Sequence, residues 1–437
     1  MIDKSAISDI VSVAAKIEIQ KMKISPARIA AFEILTKIEV KKSFSSVLLP
    51  IAEEKLEPKD RGLCHEITLG TLRKQIYLDM VIEKLTNGKK IDAAIKIILR
   101  TALYQLIFLD KIPAHAAIND AVNLAHRAKK TSAKGFVNAV LRRFGREKFE
   151  TTYSDETTRI SVETSHPKWL IEKWISEFGF AETEKLAVAN NETPKLDFRF
   201  TAKTTETTKL KIAEISKSEL FELAQKGEIY FQDEGSQMVG NAIDLREGKN
   251  FLDVCAAPGS KTTQISNFKS EISNLLVAGD LRFQRVKLLK ENCQNQGVDF
   301  VNVLQYDAEK SLPFADESFD LVLLDAPCSG TGTIRHNPEI RYFLSREDFE
   351  ELSAKQLTIL KNASKLIKRG GRLIYSTCSL EREENEAVCE AFLAESNDFE
   401  LIKINLPEQF LTEKGFARTF PQRDNLDGFF IAAFSKV

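Results

Sequence analysis

Two cysteines of the chain stand in short polar segments, each following an apolar run typical of a buried strand. Cys328 lies in LLDAPCSGTG, residues 323–332, directly after a proline, and Cys378 lies in YSTCSLEREENE, residues 375–386. A cysteine in such a position could act as a nucleophile, bind a metal or pack in the core. The residues around the two segments decide between these roles.

Four aspartates close other apolar runs in the C-terminal half of the chain: Asp253, Asp280, Asp307 and Asp325. Taken singly, each acid is typical of a helix cap or a loop. Ligands of parallel α/β sheets, however, bind at the carboxyl ends of the strands. Four acids in succession at strand ends therefore predict one ligand site.

The segment FLDVCAAPGSKTTQI, residues 251–265, predicts a strand, a tight turn and a helix. Its turn contains one glycine, so it has neither the three-glycine dinucleotide fingerprint nor the G-K-[ST] of a P-loop. Small residues let a ligand approach the backbone closely, and the following helix N-terminus favours a carboxylate. An amino-acid-like ligand group fits this turn better than a pyrophosphate.

The acids indicate the other groups of the ligand. Asp280 could accept hydrogen bonds from a ribose diol, and Asp307 could accept one from an adenine amine. Ribose, adenine and an amino-acid carboxylate together describe S-adenosyl-methionine, with NAD and ATP as alternatives. For Lys261 we weigh a role in orienting the cofactor or a phosphate against a solvated position. The predicted cofactor contacts are Cys255, Ala256, Ala257, Pro258, Gly259, Ser260, Lys261, Asp280, Asp307 and Asp325.

The elements that must position these residues differ along the chain. Seven short apolar runs alternate with helical segments in residues 236–437 and predict a mostly parallel, seven-stranded sheet with helices on both faces. Residues 25–150 show apolar spacings of three and four, which predict a bundle of about six or seven helices. Residues 151–235 predict a linker and a small α+β connector, after an N-terminal extension over residues 1–24.

The charge is divided unevenly between these parts. The whole chain has a net charge of −1, yet residues 1–150 contain 27 Lys and Arg against 17 Asp and Glu. A basic first third indicates a polyanionic partner, against the alternative of a solvated helical surface. Residues 126–143 favour a nucleic-acid surface because they concentrate six basic residues: Arg127, Lys129, Lys130, Lys134, Arg142 and Arg143.

Three segments, DVCAAPGSKTTQ, DAPCSGTG and YSTCS, closely resemble the NOL1/NOP2/Sun family of RNA cytosine-5 methyltransferases in content, order and strand context. The helical first third is similar to the NusB-like RNA-binding domain of the bacterial Sun (Fmu) branch, which modifies 16S ribosomal RNA. The resemblance implies an all-α bundle followed by a Rossmann-like class I methyltransferase domain that uses S-adenosyl-methionine. It also implies 16S ribosomal RNA, or a small-subunit assembly intermediate, as the partner.

The resemblance assigns roles to the reactive residues as well. In the family the T-C-S cysteine, here Cys378, is the nucleophile, and the P-C cysteine, here Cys328, acts in product release. Carbon 5 of cytosine needs this help because it becomes sufficiently nucleophilic only after a thiolate adds to carbon 6. Asp325 is the candidate acid at ring nitrogen 3, since a partly buried carboxyl group can donate a proton.

The remaining features limit other classes of protein. No apolar run approaches the roughly 18–20 residues needed to cross a bilayer, and the N-terminus lacks a signal-peptide pattern. The six cysteines suit neither a disulfide framework nor a zinc cluster, which indicates a reducing, cytoplasmic setting without a metal. Separately, we expect a monomer. Two alternatives stay open: the same chemistry on transfer RNA or large-subunit ribosomal RNA, and a non-catalytic RNA-binding assembly factor.

Overall fold

The computed structural model describes residues 24–147, 151–243, 249–266 and 275–437. The chain divides into two compact units. The first unit runs up to Asn191 and includes His336–Phe343, whereas the second comprises Glu192–Arg335 and Leu344–Val437. The domain boundaries drawn from the sequence stay predictions.

Seven α-helices within residues 24–147 confirm the predicted helical bundle. Pro26 occupies the first turn of the first helix, and the Asp92 side chain caps a later helix by accepting from the Ala94 amide. Their apolar faces share one core, in which Ile98 and Leu103 are fully buried. The helices are Pro26–Lys41, Ser45–Glu53, Pro58–Arg73, Gln75–Thr86, Ala93–Phe108, Ala114–Arg127 and Lys134–Phe144.

The first unit continues into the segment predicted as a linker, and that prediction is wrong for part of it. Glu156–Glu163 forms a helix because the Asp155 side chain accepts from the Thr158 amide and Ile160 is buried. The helix was missed because the segment is mostly polar, which is typical of a linker. The other helices of the unit are Lys168–Phe178, Phe180–Ala189 and the short Ile340–Phe343.

The second unit contains a two-stranded sheet and a larger, eight-stranded sheet, with the strands numbered in chain order. The large sheet has the order β5-β4-β3-β6-β7-β10-β8, with β9 pairing to β10. Pairs from β5 through β7 are parallel, and β10 is antiparallel to its neighbours. The strands are β1 Phe198–Phe200, β2 Ile229–Phe231, β3 Phe251–Asp253, β4 Leu276–Asp280, β5 Asn302–Gln305, β6 Phe319–Asp325, β7 Ile367–Thr377, β8 Phe399–Leu401, β9 Ala417–Arg418 and β10 Phe430–Lys436.

All seven predicted strands are present, which confirms the mostly parallel sheet. The additional β9 has two residues, too short to leave an apolar pattern. Alternate residues of β6 belong to different cores: Leu321 and Leu323 to one, Val322 and Leu324 to the other. This alternation means that both faces of the sheet are covered.

Helices of the second unit connect the strands and complete its cores. They are Glu206–Lys211, Lys217–Lys226, Glu234–Asn241, Ser260–Ser266, Phe283–Asn295, Glu347–Ser364, Glu386–Glu395 and Pro421–Asp424. Because β3 to β7 run parallel, their carboxyl ends meet at one edge of the sheet, where the predicted site residues lie. Across the described ranges of the chain, no helix has the length and apolar character needed to span a membrane.

Candidate active site

The turn between β3 and the following helix is held in one shape by its neighbours. Asn292 Nδ2 donates to Pro258 O at 2.8 Å, and the Arg285 guanidinium donates to Ala257 O. Gly259 has a φ of +104°, and a Cβ at this position would lie 2.7 Å from Leu289 Cδ1. The backbone conformation therefore favours glycine here, and a Cβ would in addition require the Leu289 side chain to shift.

The predicted cofactor contacts before and after this glycine lie in the same turn. Ala256 and Ala257 are buried, and the Ala256 amide donates to Gly279 O at 2.8 Å. Burial raises the pKa of the Cys255 thiol, which favours packing or backbone contact over reactivity. Ser260 O accepts from the Arg199 guanidinium at 3.0 Å, a positioning contact that sequence reasoning missed.

Two of the predicted acids accept hydrogen bonds from backbone amides in turns at the carboxyl edge of the sheet. Asp280 is buried at the end of β4, and its Oδ2 accepts from the Ala257 amide at 3.3 Å. Asp307 is half-buried just beyond β5, where its Oδ1 accepts from the Glu309 amide at 3.1 Å. The parallel order of β5, β4 and β3 brings both acids to the edge that carries the cofactor turn.

Asp253 ends β3 and is fully buried. Its Oδ2 accepts from Thr262 Oγ1 at 2.6 Å, whereas its Oδ1 has no partner among the described residues. Burial raises the pKa of this carboxyl to about 7, opposed by the hydrogen bond from Thr262. An unpartnered buried acceptor beside small residues and a tight turn suits the ammonium group of an amino-acid-like cofactor.

Lys261 lies on Asp325 rather than in solvent. Its Nζ is 2.7 Å from Asp325 Oδ2, and Ser376 Oγ donates to Asp325 Oδ1 at 2.8 Å. Burial lowers the pKa of Lys261, but the charge of Asp325 and their hydrogen bond outweigh this effect and leave the pKa raised. The lysine therefore stays charged in a buried site and links the cofactor turn to the end of β6.

The two cysteines singled out by the sequence are in contact. Cys328 Sγ and Cys378 Sγ lie 3.4 Å apart, and both side chains are half-buried. The hydrogen bond to Cys378 and then burial raise the pKa of Cys328. The raised pKa favours the thiol form of Cys328, and either sulfur can donate the hydrogen bond that joins the pair.

A buried polar cluster next to the cysteines was missed by sequence reasoning: Ser329, Gln356, Ser379, Glu384 and Asn385. Glu384 and Asn385 belong to the acidic run LEREENE, residues 380–386. The α-helix begins only at Glu386, after a 3₁₀ turn over Arg382–Glu384. Acidic runs are usually solvated, so no sequence signal distinguished these buried residues.

The mostly parallel sheet, the single-glycine turn and the acids at its edge define an S-adenosyl-methionine-dependent methyltransferase domain. A family model described as 16S rRNA methyltransferase RsmB/F matches residues 241–435, and the NusB family model matches residues 25–146. The chain belongs to the RsmB/F family of methyltransferases, and S-adenosyl-methionine is its cofactor.

Full-length relatives support this assignment. The probable ribosomal RNA small subunit methyltransferase B of Bacillus subtilis (strain 168) is 34% identical over 95% of this chain and 100% of its own. The ribosomal RNA small subunit methyltransferase B of Pseudomonas putida KT2440 is 32% identical over 94% of this chain and 98% of its own. The crystal structure of PH0851 superposes with a TM-score of 0.82 at 26% identity, covering 95% of this chain and 99% of that one.

Proposed function

We propose that the protein transfers a methyl group from S-adenosyl-methionine to carbon 5 of a cytosine in 16S ribosomal RNA, through a covalent bond to Cys378. The observation that carries this proposal is the pair of cysteine sulfurs, 3.4 Å apart. They follow β6 and β7, at the sheet edge that also holds Asp325 and Lys261. The names of the relatives support the small-subunit RNA as substrate.

In the first step, the Cys378 thiolate adds to carbon 6 of the cytosine. The electron pair of the carbon 5–carbon 6 bond moves through the ring, and nitrogen 3 accepts a proton. The raised pKa of Cys328 supports Cys378 as the attacking sulfur, since Cys328 then stays a thiol and a hydrogen bond donated from it would stabilise the Cys378 thiolate. The target base must be unstacked or flipped to expose its face to the sulfur.

Asp325 and Lys261 supply the acid for nitrogen 3. The ammonium group of Lys261 carries the proton, and the Asp325 carboxylate, fixed by Ser376, holds the charge in place. This arrangement refines the expectation that Asp325 acts alone as a proton donor.

S-adenosyl-methionine supplies an electrophilic methyl group when it is bound. We assign the Cys255–Lys261 turn, Asp280 and Asp307 to holding it, with Asp253 as a further acceptor. After the transfer, a base removes the proton from carbon 5, and the bond between Cys378 Sγ and carbon 6 breaks. Nitrogen 3 returns its proton to Lys261, which restores the neutral aromatic ring. Cys328 assists this release, because its thiol can protonate the departing sulfur over 3.4 Å.

The basic surface of the first unit would provide salt-dependent affinity for the RNA backbone, while RNA shape supplies much of the selectivity. The six cysteines are free thiols, which agrees with the reducing, cytoplasmic setting that we propose. A binding role without catalysis is the weaker reading, because it leaves the paired thiols and the buried Lys261–Asp325 pair without a use.

Bisulfite mapping of RNA from a strain that lacks the gene tests the substrate. We expect one 5-methylcytosine to disappear from 16S ribosomal RNA and to return when the wild-type gene is restored. An unchanged 16S RNA with a lost methylcytosine in transfer or large-subunit RNA would show that the substrate is a different one. Unchanged methylation in all three RNAs would favour the assembly factor.

Serine variants of the two cysteines test the assigned chemistry. Cys378→Ser is expected to abolish methyl transfer and to form no covalent RNA adduct, because the nucleophile is missing. Cys328→Ser is expected to accumulate an adduct, because release stalls after the thiolate has added. Denaturing gels with radiolabelled RNA measure both, with Cys64→Ala as a control outside the site. An adduct formed by Cys378→Ser would reverse the two roles.

A further inference from the structure

Glu384, the last residue of the 3₁₀ turn that follows Cys378, and Asn385, the next residue, are fully buried. The reaction described above does not use either side chain. Their hydrogen bonds nevertheless reach residues next to both reactive cysteines, on two different strand ends. This pair therefore calls for a role beyond filling space.

Glu384 connects the two cysteine loops through its carboxylate. Oε1 accepts from the Ser329 amide at 2.9 Å and from Gln356 Nε2 at 2.9 Å. Oε2 accepts from the hydroxyl groups of Ser329 and Ser379. Ser329 follows Cys328 and Ser379 follows Cys378, so one carboxylate holds the residue after each thiol.

Gln356 extends this connection to the other side of Cys328. Its Nε2 also donates to Pro327 O at 2.9 Å, and Tyr375 donates to its Oε1 at 3.2 Å. The backbone on both sides of Cys328 is thereby tied to Glu384, either directly or through one amide group. The orientation of that amide is itself fixed by a buried tyrosine.

Asn385 does the same for Cys378. Its Nδ2 donates to Ser379 O at 2.8 Å, and its Oδ1 accepts from Thr377 Oγ1 at 2.5 Å. These contacts hold the residue before and the residue after Cys378. Together, the two side chains fix both flanks of both thiols.

The energetic cost of this cluster argues for a geometric role. Burial raises the pKa of Glu384, and its partners are neutral donors that favour the carboxylate. A buried acid is costly even when fully hydrogen-bonded, and apolar residues of similar volume often stabilise a fold as well or better. Fully satisfied polar networks, in contrast, define one arrangement of the groups they join.

We propose that Glu384 and Asn385 are positioning residues that hold Cys328 and Cys378 at the separation needed for addition and release. The proposal rests on the proposed function for its catalytic consequence. The geometric part stands by itself, because the distance between two thiols can be probed without RNA or methyl transfer.

Phenylarsine oxide is a suitable probe of this distance. Its arsenic–oxygen bond is replaced by two arsenic–sulfur bonds to neighbouring thiols, with loss of water and no change of oxidation state at sulfur. We expect wild-type protein to bind one arsenical across the pair, and Cys328→Ser to lose this capture. Glu384→Ala should lose most of it, while the folded variant keeps an affinity for S-adenosyl-methionine close to that of wild type.

Glu384→Gln should rescue much of the capture. The amide oxygen can still accept from Ser329 N and Gln356, and its NH₂ group can donate to the serine oxygens. In methylation assays, kcat should fall about 100-fold for Glu384→Ala, with little change in KM for either substrate, because misplacement of reacting groups has this size of effect. Glu384→Gln should stay within about tenfold of wild type.

Glu390→Gln is the matched control, because Glu390 lies on the next helix with exposed partners, Arg382 and Lys414. It should match wild type in capture and in kcat. Asn385→Ala decides the matter if Glu384→Ala does not fold, with loss of capture expected. Unchanged capture and kcat in a folded Glu384→Ala or Asn385→Ala variant would overturn the proposal. Wild-type protein that binds the arsenical but never methylates RNA would instead count against the proposed function.

Discussion

Lys261 and Asp253 show how burial changes the chemistry of single side chains at the carboxyl edge of the sheet. Lys261 is 7% exposed yet keeps its charge, because Asp325 lies 2.7 Å from its ammonium group. Asp253 is 1% exposed and has a hydroxyl group as its direct partner, so burial dominates. The same edge thus holds a stable ion pair and an acid that titrates near neutrality.

We predict that the free energy of unfolding of the cofactor-free protein falls as the pH rises, because the buried Asp253 loses its proton. Burial raises its pKa from 3.8 to about 7. The folded chain therefore binds this proton more tightly than the unfolded chain, and the stabilisation present below pH 3.8 is lost as the pH rises to about 7. Between pH 5 and 8, the free energy of unfolding should fall by a few kcal/mol more for wild type than for Asp253→Asn, since each pKa unit corresponds to about 1.4 kcal/mol.

Urea denaturation of both proteins at several pH values, without cofactor, measures this difference. Asp316→Asn, at an exposed position, serves as the control and should follow wild type. Parallel pH profiles for wild type and Asp253→Asn would contradict the prediction.

The loops after β6 and β7 are joined directly by a hydrogen bond between their backbones. The Gly332 amide donates to Cys378 O at 2.9 Å, and Gly332 O accepts from the Gly428 amide at 2.8 Å. A Cβ at position 332 would lie 2.1 Å from Gly428 O. The second glycine of SGTG therefore allows three backbone segments to meet beside the cysteines.

Gly332→Ala should separate these segments. We expect a loss of about 1–3 kcal/mol in the free energy of unfolding, typical of overpacking, and a fall in kcat because both thiols move. Thermal unfolding and single-turnover methylation measure the two effects. Gly62→Ala lies in a helix with no atom within 4 Å of the added methyl group, so it should stabilise the protein by up to about 1 kcal/mol. Equal behaviour of the two variants would rule out a specific role for Gly332.

At the scale of the whole molecule, ion pairs show which basic residues of the predicted nucleic-acid surface, residues 126–143, are already neutralised. Three of the six basic residues within residues 126–143 are paired to acids: Arg127 to Glu33, Lys130 to Asp92 and Arg143 to Glu147. The other three form no ion pair with the described part of the chain: Lys129, Lys134 and Arg142. The unpaired group is therefore better suited to binding phosphate.

We predict that replacing Lys129, Lys134 and Arg142 together by Gln weakens RNA binding and its salt dependence. The slope of log K against log salt should fall by about 2, since each phosphate contact contributes roughly 0.7–0.9. The affinity for S-adenosyl-methionine should not change. The matched control replaces Arg127, Lys130 and Arg143 by Gln and should change the slope less. Filter binding at several salt concentrations compares them, and equal slopes for both triple variants would disprove the assignment.

The features of the fold and site that could be predicted from the sequence are those encoded by residues close together along the chain. Apolar periodicity is local, so it predicted the seven helices within residues 24–147 and seven of the eight strands of the large sheet. The single-glycine turn and the acids after successive strands were also local signals, and parallel strands necessarily bring their ends to one edge. The two cysteines were found in the same way, as residues at strand ends.

Only the tertiary structure decided which of these residues touch each other. The pairing of Lys261 with Asp325, 64 positions later, and the 3.4 Å contact of Cys328 with Cys378 carry no mark in the local sequence. The burial of Glu384 and Asn385 inside an acidic run is equally invisible, because a run of charges is normally solvated. The physical reason is that burial and partner choice depend on the whole fold, whereas propensity and periodicity depend on neighbours along the chain.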